Sequence, residues 1–226
     1  MTDVKSETVV EVQVVSDVMC PWCFIGKRRL EKAIEMLDPA IKVRVEWKPF
    51  QLDATLPEEG KDRQLYLTEK FGSKESADAK YSHIKQAGID EDIPFDFDAI
   101  TVSPNTLNAH RVIAWAGQMG HHRQDRVVQR LFEAYFTEGK NIGDKAVLAT
   151  VAGDAGMDPS AVVAKLDSDE GRQEAQQAVV NAHHMGVTGV PCFIIEQKYG
   201  ISGAQAPETL ANAISKIASE KSPTDA

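Results

Sequence analysis

Cys20-Pro21-Trp22-Cys23 lies where a strand pattern ends and a helix pattern begins, and this junction constrains the fold more than any other feature of the chain. Val9, Val10, Val12, Val14 and Val15 alternate loosely with Glu11 and Gln13, as in a half-buried strand. Beyond Cys20 the period changes. Phe24, Leu30, Ala33, Ile34 and Leu37 recur at three and four residues, which describes one face of a helix. Pro21 suits the first helical position, because its missing N–H would be unpaired there anyway. Cys20 then caps the helix and Cys23 lies one turn further in. Two sulfurs so placed can close a small disulfide. The first faces the positive end of the helix, which favours thiolate over thiol.

Such a pair can serve redox chemistry, form half of a zinc site, or pack inertly. Zinc wants four nitrogen or sulfur ligands, usually with a second closely spaced pair, and the third cysteine of this chain, Cys192, stands alone. His121-His122 and His183-His184 are adjacent pairs, so on a helix their side chains point apart and lack the i, i+4 spacing of a helical zinc site. No metal is expected. The strand-to-helix setting is the one a redox pair needs, and redox chemistry is the expectation.

At 226 residues the chain fits one large or two small lobes and can bury a sizeable core. Its net charge of -9, with acidic residues spread along the sequence, argues against nucleic-acid binding, which depends on neutralising phosphates. Apolar stretches are broken by charge well short of the roughly 20 residues a membrane span requires. Asp3 and Glu7 occupy the N-terminal segment where a secretory signal would carry basic and then apolar residues. Together with the odd cysteine count, this makes the cytoplasm the expected location.

A second strand is expected over residues 41–50, with Val43, Val45 and Trp47 on one face and Lys42, Arg44, Glu46 and Lys48 on the other. A helix crosses between the two strands, so they should run parallel. Helical character follows over residues 62–185. Ser103-Pro104 opens one helix, residues 123–138 form another, Asp144 and Asp158-Pro159 cap two more, and residues 169–185 form the last, with Gly186 just beyond. Shorter helices are expected over residues 62–86. Strand chemistry returns at Phe193, Ile194 and Ile195, which residues 199–202 can pair with across a turn at Gln197-Lys198. Residues 207–217 close the chain as an amphipathic helix, and residues 221–226 read as a frayed tail.

This layout resembles the thioredoxin fold of the DsbA family, an α/β fold with a helical domain inserted between its two halves. The expected boundaries are residues 1–61 and 186–226 for the thioredoxin-like domain and 62–185 for the insertion. Asp17-Val18-Met19-Cys20-Pro21-Trp22-Cys23, Pro49-Phe50-Gln51-Leu52, Asn105-Thr106-Leu107-Asn108-Ala109-His110-Arg111 and Gly186-Val187-Thr188-Gly189-Val190-Pro191 are similar to the FrnE-like branch. That branch borders the glutathione-dependent 2-hydroxychromene-2-carboxylate isomerases and the kappa-class glutathione transferases. The resemblance implies that Cys20 is the attacking thiolate and Cys23 the resolving thiol. It also implies that Val190-Pro191 is a cis-proline loop whose backbone holds an extended substrate. The isomerases and transferases usually carry serine where Cys20 stands.

Four further residues have two readings each. Trp22 offers an apolar contact to substrate or covers the disulfide. Asp17 accepts a proton near the thiols or, as such residues more often do, hydrogen-bonds the turn. His110 faces the site or is a partly buried histidine with a hydrogen-bond partner. Cys192 is a redox partner of the pair or a small buried hydrophobe at a strand start, the commoner case. The expected function is thiol–disulfide exchange through a mixed disulfide on Cys20. Its partner is a thiol- or disulfide-containing protein or small molecule, and no cofactor is tightly bound. One alternative is a glutathione-dependent isomerase or transferase acting on a small aromatic molecule. Another is a peptide-binding holdase without enzymatic activity. A homodimer is suggested by the transferase relatives alone.

Overall fold

The computed structural model describes residues 7–221. Strand β1 (Thr8–Ser16) is followed by helix α1 (Pro21–Glu35) and strand β2 (Ile41–Pro49). β1 and β2 are parallel, in register from Thr8 opposite Ile41 to Ser16 opposite Pro49. Next come β3 (Lys61–Asp62), α2 (Arg63–Phe71), α3 (Lys74–Ile89), β4 (Val102–Ser103), α4 (Leu107–Gln118) and α5 (His121–Phe136). The chain continues through α6 (Lys145–Asp154), α7 (Pro159–Leu166), α8 (Arg172–His184), β5 (Cys192–Ile195), β6 (Tyr199–Ser202) and α9 (Pro207–Glu220). The main sheet has the order β2-β1-β5-β6, with β5 antiparallel to both β1 and β6. It is a thioredoxin-type α/β fold with helices α2 to α8 inserted between β2 and β5.

The alternation in β1 decides which side chains meet the helices. Val10, Val12 and Val14 are buried in the main core with Phe24, Ile25 and Leu30 of α1 and Leu210, Ile214 and Ile217 of α9. Each such valine contributes roughly 1.5–3 kcal/mol by leaving water. Val15 points the other way, into a small cluster with Phe50, Ala182, Val187 and Cys192. The main core continues into the insertion. Phe24 stacks on Phe132 of α5 at 5.0 Å, and Phe95 meets Phe136 edge-on at 5.5 Å. β2 is an edge strand, and Gln124 of α5 covers part of it: its side-chain amide accepts from Trp47 N at 2.9 Å and donates to Trp47 O at 3.2 Å.

Several expected boundaries move, each for a local reason. Helix α4 starts at Leu107, not at Ser103-Pro104, because Ser103 pairs with Lys61 in the small β3–β4 ladder and Asn105 Oδ1 accepts from Leu107 N. Helix α8 starts at Arg172, not at residue 169. The buried Arg111 guanidinium instead takes the carbonyls of Lys165, Ser168 and Glu170 and pins the preceding loop. The β5–β6 turn is centred on Glu196 and Gln197, both left-handed at φ 52° and 53°, one residue earlier than expected. Helix α5 begins at His121 and α9 extends to Glu220. Lys221 is not frayed: its Nζ donates to Val9 O at 2.6 Å and pairs with Glu196 at 2.8 Å. Residues 222–226 of the expected tail lie outside the described residues.

Candidate active site

β1 ends at Ser16, and the next residues turn so that Cys20 N donates to Asp17 O at 3.0 Å. Cys20 has extended angles (φ -94°, ψ 114°) and occupies the N-cap of α1, with Pro21 at the first helical position. Cys23 N donates back to Cys20 O at 3.0 Å, closing the first turn. The Cys20 thiol makes no capping bond. It donates to Val190 O at 3.8 Å. Cys20, Cys23 and Cys192 are all free thiols.

Cys23 is wholly buried behind Cys20. Burial pushes its thiol well above the ordinary value, and the neighbouring Cys20 adds to this, outweighing the Ser16 hydroxyl and the Asp17 backbone N–H that favour its thiolate. Ser16 Oγ, itself buried, makes no hydrogen bond of good geometry and lies beside this sulfur. The sequence held a signal for it: one more step of the Val10, Val12, Val14 alternation puts Ser16 on the face toward α1.

The Val190-Pro191 bond is cis. Pro191 sits against Gly26 of α1, where an added Cβ would lie 2.7 Å from Pro191 Cγ and 3.3 Å from Phe193. Only a glycine permits that approach. Cys20 opens into a groove of about 710 Å³ between the start of α1 and helices α2 and α3; Trp22, Tyr66, Phe71, His83 and Val190 help to line it. Trp22 is half-buried, tilted against His83 at 5.9 Å.

Residues 11–215 match the family model described as the DSBA-like thioredoxin domain. The chain belongs to this family. It is 30% identical over 209 residues to the uncharacterized protein YwbO of Bacillus subtilis, covering 91% of this chain and 96% of that one. Among solved structures it is similar to a probable DsbA oxidoreductase from Streptomyces coelicolor, with 27% identity and a TM-score of 0.85 over 96% of this chain and 93% of the other. In fold it also resembles a 2-hydroxychromene-2-carboxylate isomerase, at 16% identity and a TM-score of 0.71 over 93% and 97% of the two chains. The cytosolic disulfide reductase DsbM of Pseudomonas aeruginosa with GSH shares the fold at 15% identity and a TM-score of 0.61, over 92% and 98%.

In this DsbA-like protein the other three candidates do not line the groove. The Asp17 carboxylate is buried and accepts from Leu52 N at 2.7 Å and Met19 N at 3.4 Å, which ties the turn before Cys20 to the segment after β2. His110 of α4 approaches Asp17 Oδ1 at 3.6 Å with Nε2, and the same nitrogen bonds to Phe50 O at 2.8 Å. A carbonyl only accepts, so His110 Nε2 carries the hydrogen. Asp17 and His110 thus meet each other behind residues 50–52. Cys192 stands opposite Val15 in the sheet and packs with Phe50, Ala182 and Val187; burial pushes its thiol up. Among the described residues no group of three or more His, Cys, Asp or Glu side chains could hold a metal ion, and no helix is long and apolar enough to cross a membrane.

Proposed function

We propose that this DsbA-like protein is a thiol–disulfide oxidoreductase that works through Cys20 and Cys23. One observation carries the reading: Cys20 caps α1 at the mouth of an aromatic groove beside the Val190 carbonyl, with Cys23 buried directly behind it. The Cys20 thiolate attacks one sulfur of a substrate disulfide. A Cys20–substrate disulfide forms, the substrate S–S bond breaks, and the first substrate thiolate leaves and takes a proton from water. Cys23 then loses its proton and attacks Cys20 Sγ. The Cys20–Cys23 bond forms, and the second substrate thiolate leaves with a proton. The substrate gains two electrons and the pair loses two; the reverse sequence oxidises a dithiol. Potentials of such pairs span about -270 to -120 mV, and about 30 mV corresponds to 1.4 kcal/mol, so a few hydrogen bonds at Cys20 set the direction.

Val190 presents backbone to a substrate lying along the groove, and Trp22 offers it an apolar face. The substrate is a thiol- or disulfide-bearing protein or small molecule. Outside the Cys20–Cys23 pair the chain has one further cysteine, Cys192, with no partner to bridge to, which suits a reducing compartment, and we place the protein in the cytoplasm. Insulin reduction by dithiothreitol, with and without the protein, tests the reading. Acceleration is expected for wild type, none for Cys20→Ser, and a trapped mixed disulfide, seen by mass, for Cys23→Ser. A folded wild type that neither accelerates reduction nor exchanges with a small disulfide would overturn it.

A glutathione-dependent isomerase is the second reading. The volume of the groove and its Trp22, Tyr66 and Phe71 walls favour it, since they could house a small aromatic molecule beside glutathione held at Cys20. Retained activity in Cys23→Ser would separate it from disulfide exchange, which needs both sulfurs.

A further inference from the structure

The walls of the Cys20 groove carry one sign of charge. Arg63, Lys70 and Lys80 line it together with His83 and apolar and aromatic side chains, and no aspartate or glutamate does. This occurs in a protein with 34 acidic and 25 basic side chains. Elsewhere the cations are largely neutralised: Arg29 and Lys32 by Glu91, Lys61 by Glu69, Lys140 by Glu138, Lys145 by Asp167. Around the groove they are not. Lys70 Nζ donates to Tyr66 Oη at 2.9 Å, and Lys80 Nζ lies 5.6 Å from the Phe71 ring centroid. Among the described residues neither has a carboxylate within ion-pair distance. Arg63 is buried, and its Nη1 donates to Tyr135 Oη at 3.1 Å while Nη2 has no partner. Tyr135 cannot act as its counter-charge, because burial raises the phenol far above its ordinary value. Opposing charge is close by: Asp53 and Glu69 line the adjoining depression shared with Tyr66 and Lys70, and Asp17 is buried behind Leu52. Glu69 is already paired with Lys61.

A cleft lined by one sign of charge between apolar walls concentrates ligands of the opposite sign. Thiols and disulfides of amino-acid origin carry carboxylates a few bonds from sulfur. We infer that the groove selects substrates with carboxylates beside the reacting sulfur, with Lys70, Lys80 and Arg63 as the specificity-determining residues. This rests on the oxidoreductase reading and names the class of substrate for the same site. The chemistry of exchange is unchanged; the groove cations hold the carboxylates as Cys20 attacks, and they stabilise the departing thiolate.

The test is oxidation of the reduced protein by three disulfides with similar C–S–S–C centres: 3,3′-dithiodipropionate (dianionic), bis(2-hydroxyethyl) disulfide (neutral) and cystamine (dicationic). Each rate is followed by quenched-flow mass spectrometry and divided by the rate of the same disulfide with free dithiothreitol, which removes intrinsic reactivity. The dianion should exceed the dication by about tenfold or more at low salt. The ratio should shrink between 0.05 and 0.5 M salt as screening shortens. Lys70→Glu with Lys80→Glu, both at exposed positions, should reverse the order, and Lys216→Glu on α9 should leave it. Peptide disulfides with glutamate or lysine flanking the cysteine form a second arm, and a preference confined to them assigns the carboxylates to a polypeptide. Normalised rates independent of charge in both arms overturn the inference and leave the oxidoreductase reading intact. If none of the disulfides oxidises the pair, both fall.

Discussion

The two faces of the sheet near Pro191 hold the same functional group in different surroundings. On one side Cys20 and Cys23 sit at the start of α1; on the other Cys192 packs against Val15 and Phe50. Relative exposure does not separate them, being 5% for Cys20, 0% for Cys23 and 8% for Cys192. Surroundings do. Cys20 has a helix N-terminus, the Val190 carbonyl and a groove in front of it, and Cys23 has Ser16 and the Asp17 backbone N–H. For Cys192 the sole influence on its thiol is burial, which raises it. What separates the three thiols is which dipoles and neighbours reach the sulfur, not how much water does.

The largest expected effect tests this contrast directly. Cys20→Ala should reduce disulfide exchange to the rate without protein, measured as insulin turbidity. Next comes pH. In the proposed exchange Cys23 must lose its proton to release substrate, and its thiol is raised chiefly by burial, a cause that persists once Cys20 is in a mixed disulfide. The resolution rate in single turnover should therefore climb about tenfold per pH unit from pH 6 to 8, as the thiolate fraction does. A flat profile would show that Cys23 is already ionised and that burial is not in control. Gly26→Ala should follow, since its Cβ would drive Pro191 away from α1. Overpacking of this kind costs about 1–3 kcal/mol, readable in chemical denaturation.

A smaller effect belongs to Glu91, which joins the insertion to α1. Burial raises its carboxyl, but Lys32 and Arg29, at 2.8 and 2.6 Å, bring it below the ordinary value. A depressed carboxyl stabilises the fold above its unfolded value of about 4.3 and loses that contribution as pH falls through the folded value. The melting-temperature gap between wild type and Glu91→Gln should be full at pH 7 and close toward pH 3. Smallest is Cys192→Ala, with turnover near wild type and a stability loss of roughly 1 kcal/mol from a small cavity. If its turnover fell as far as that of Cys20→Ala in a folded protein, the contrast between the two faces would collapse into a three-thiol relay.

Local order was legible in the sequence. The β1 valines, the change of period at Cys20 and the apolar face of α1 are all set by neighbours within a few positions, and they place the first two strands and the helix between them. What depends on distant partners was not legible. Ser103 is a strand residue because of Lys61, and residues 168–170 stay out of α8 because Arg111 holds their carbonyls. Asp17 and His110 lie 93 positions apart in the chain and meet behind Phe50, which no periodicity records. The groove wall is formed by α2 and α3, where the sequence suggested only short helices and gave no sign that Lys70 and Lys80 would share a cleft with Cys20.

The Cys20 thiol and the carbonyl it bonds are separated by 170 positions. During synthesis the ribosome releases the cysteines long before it makes the loop that faces them. At about 5–20 residues per second, roughly 10 to 30 s pass in between. For that interval the nascent chain exposes an incomplete site: two thiols near a helix start, without Val190, Pro191 or β5. A stray disulfide formed then would meet no competition from the finished groove. Ribosome-bound chains stopped before residue 190 should therefore react with alkylating reagents at Cys20 faster than the released protein, and the gap should close once the last strands have emerged.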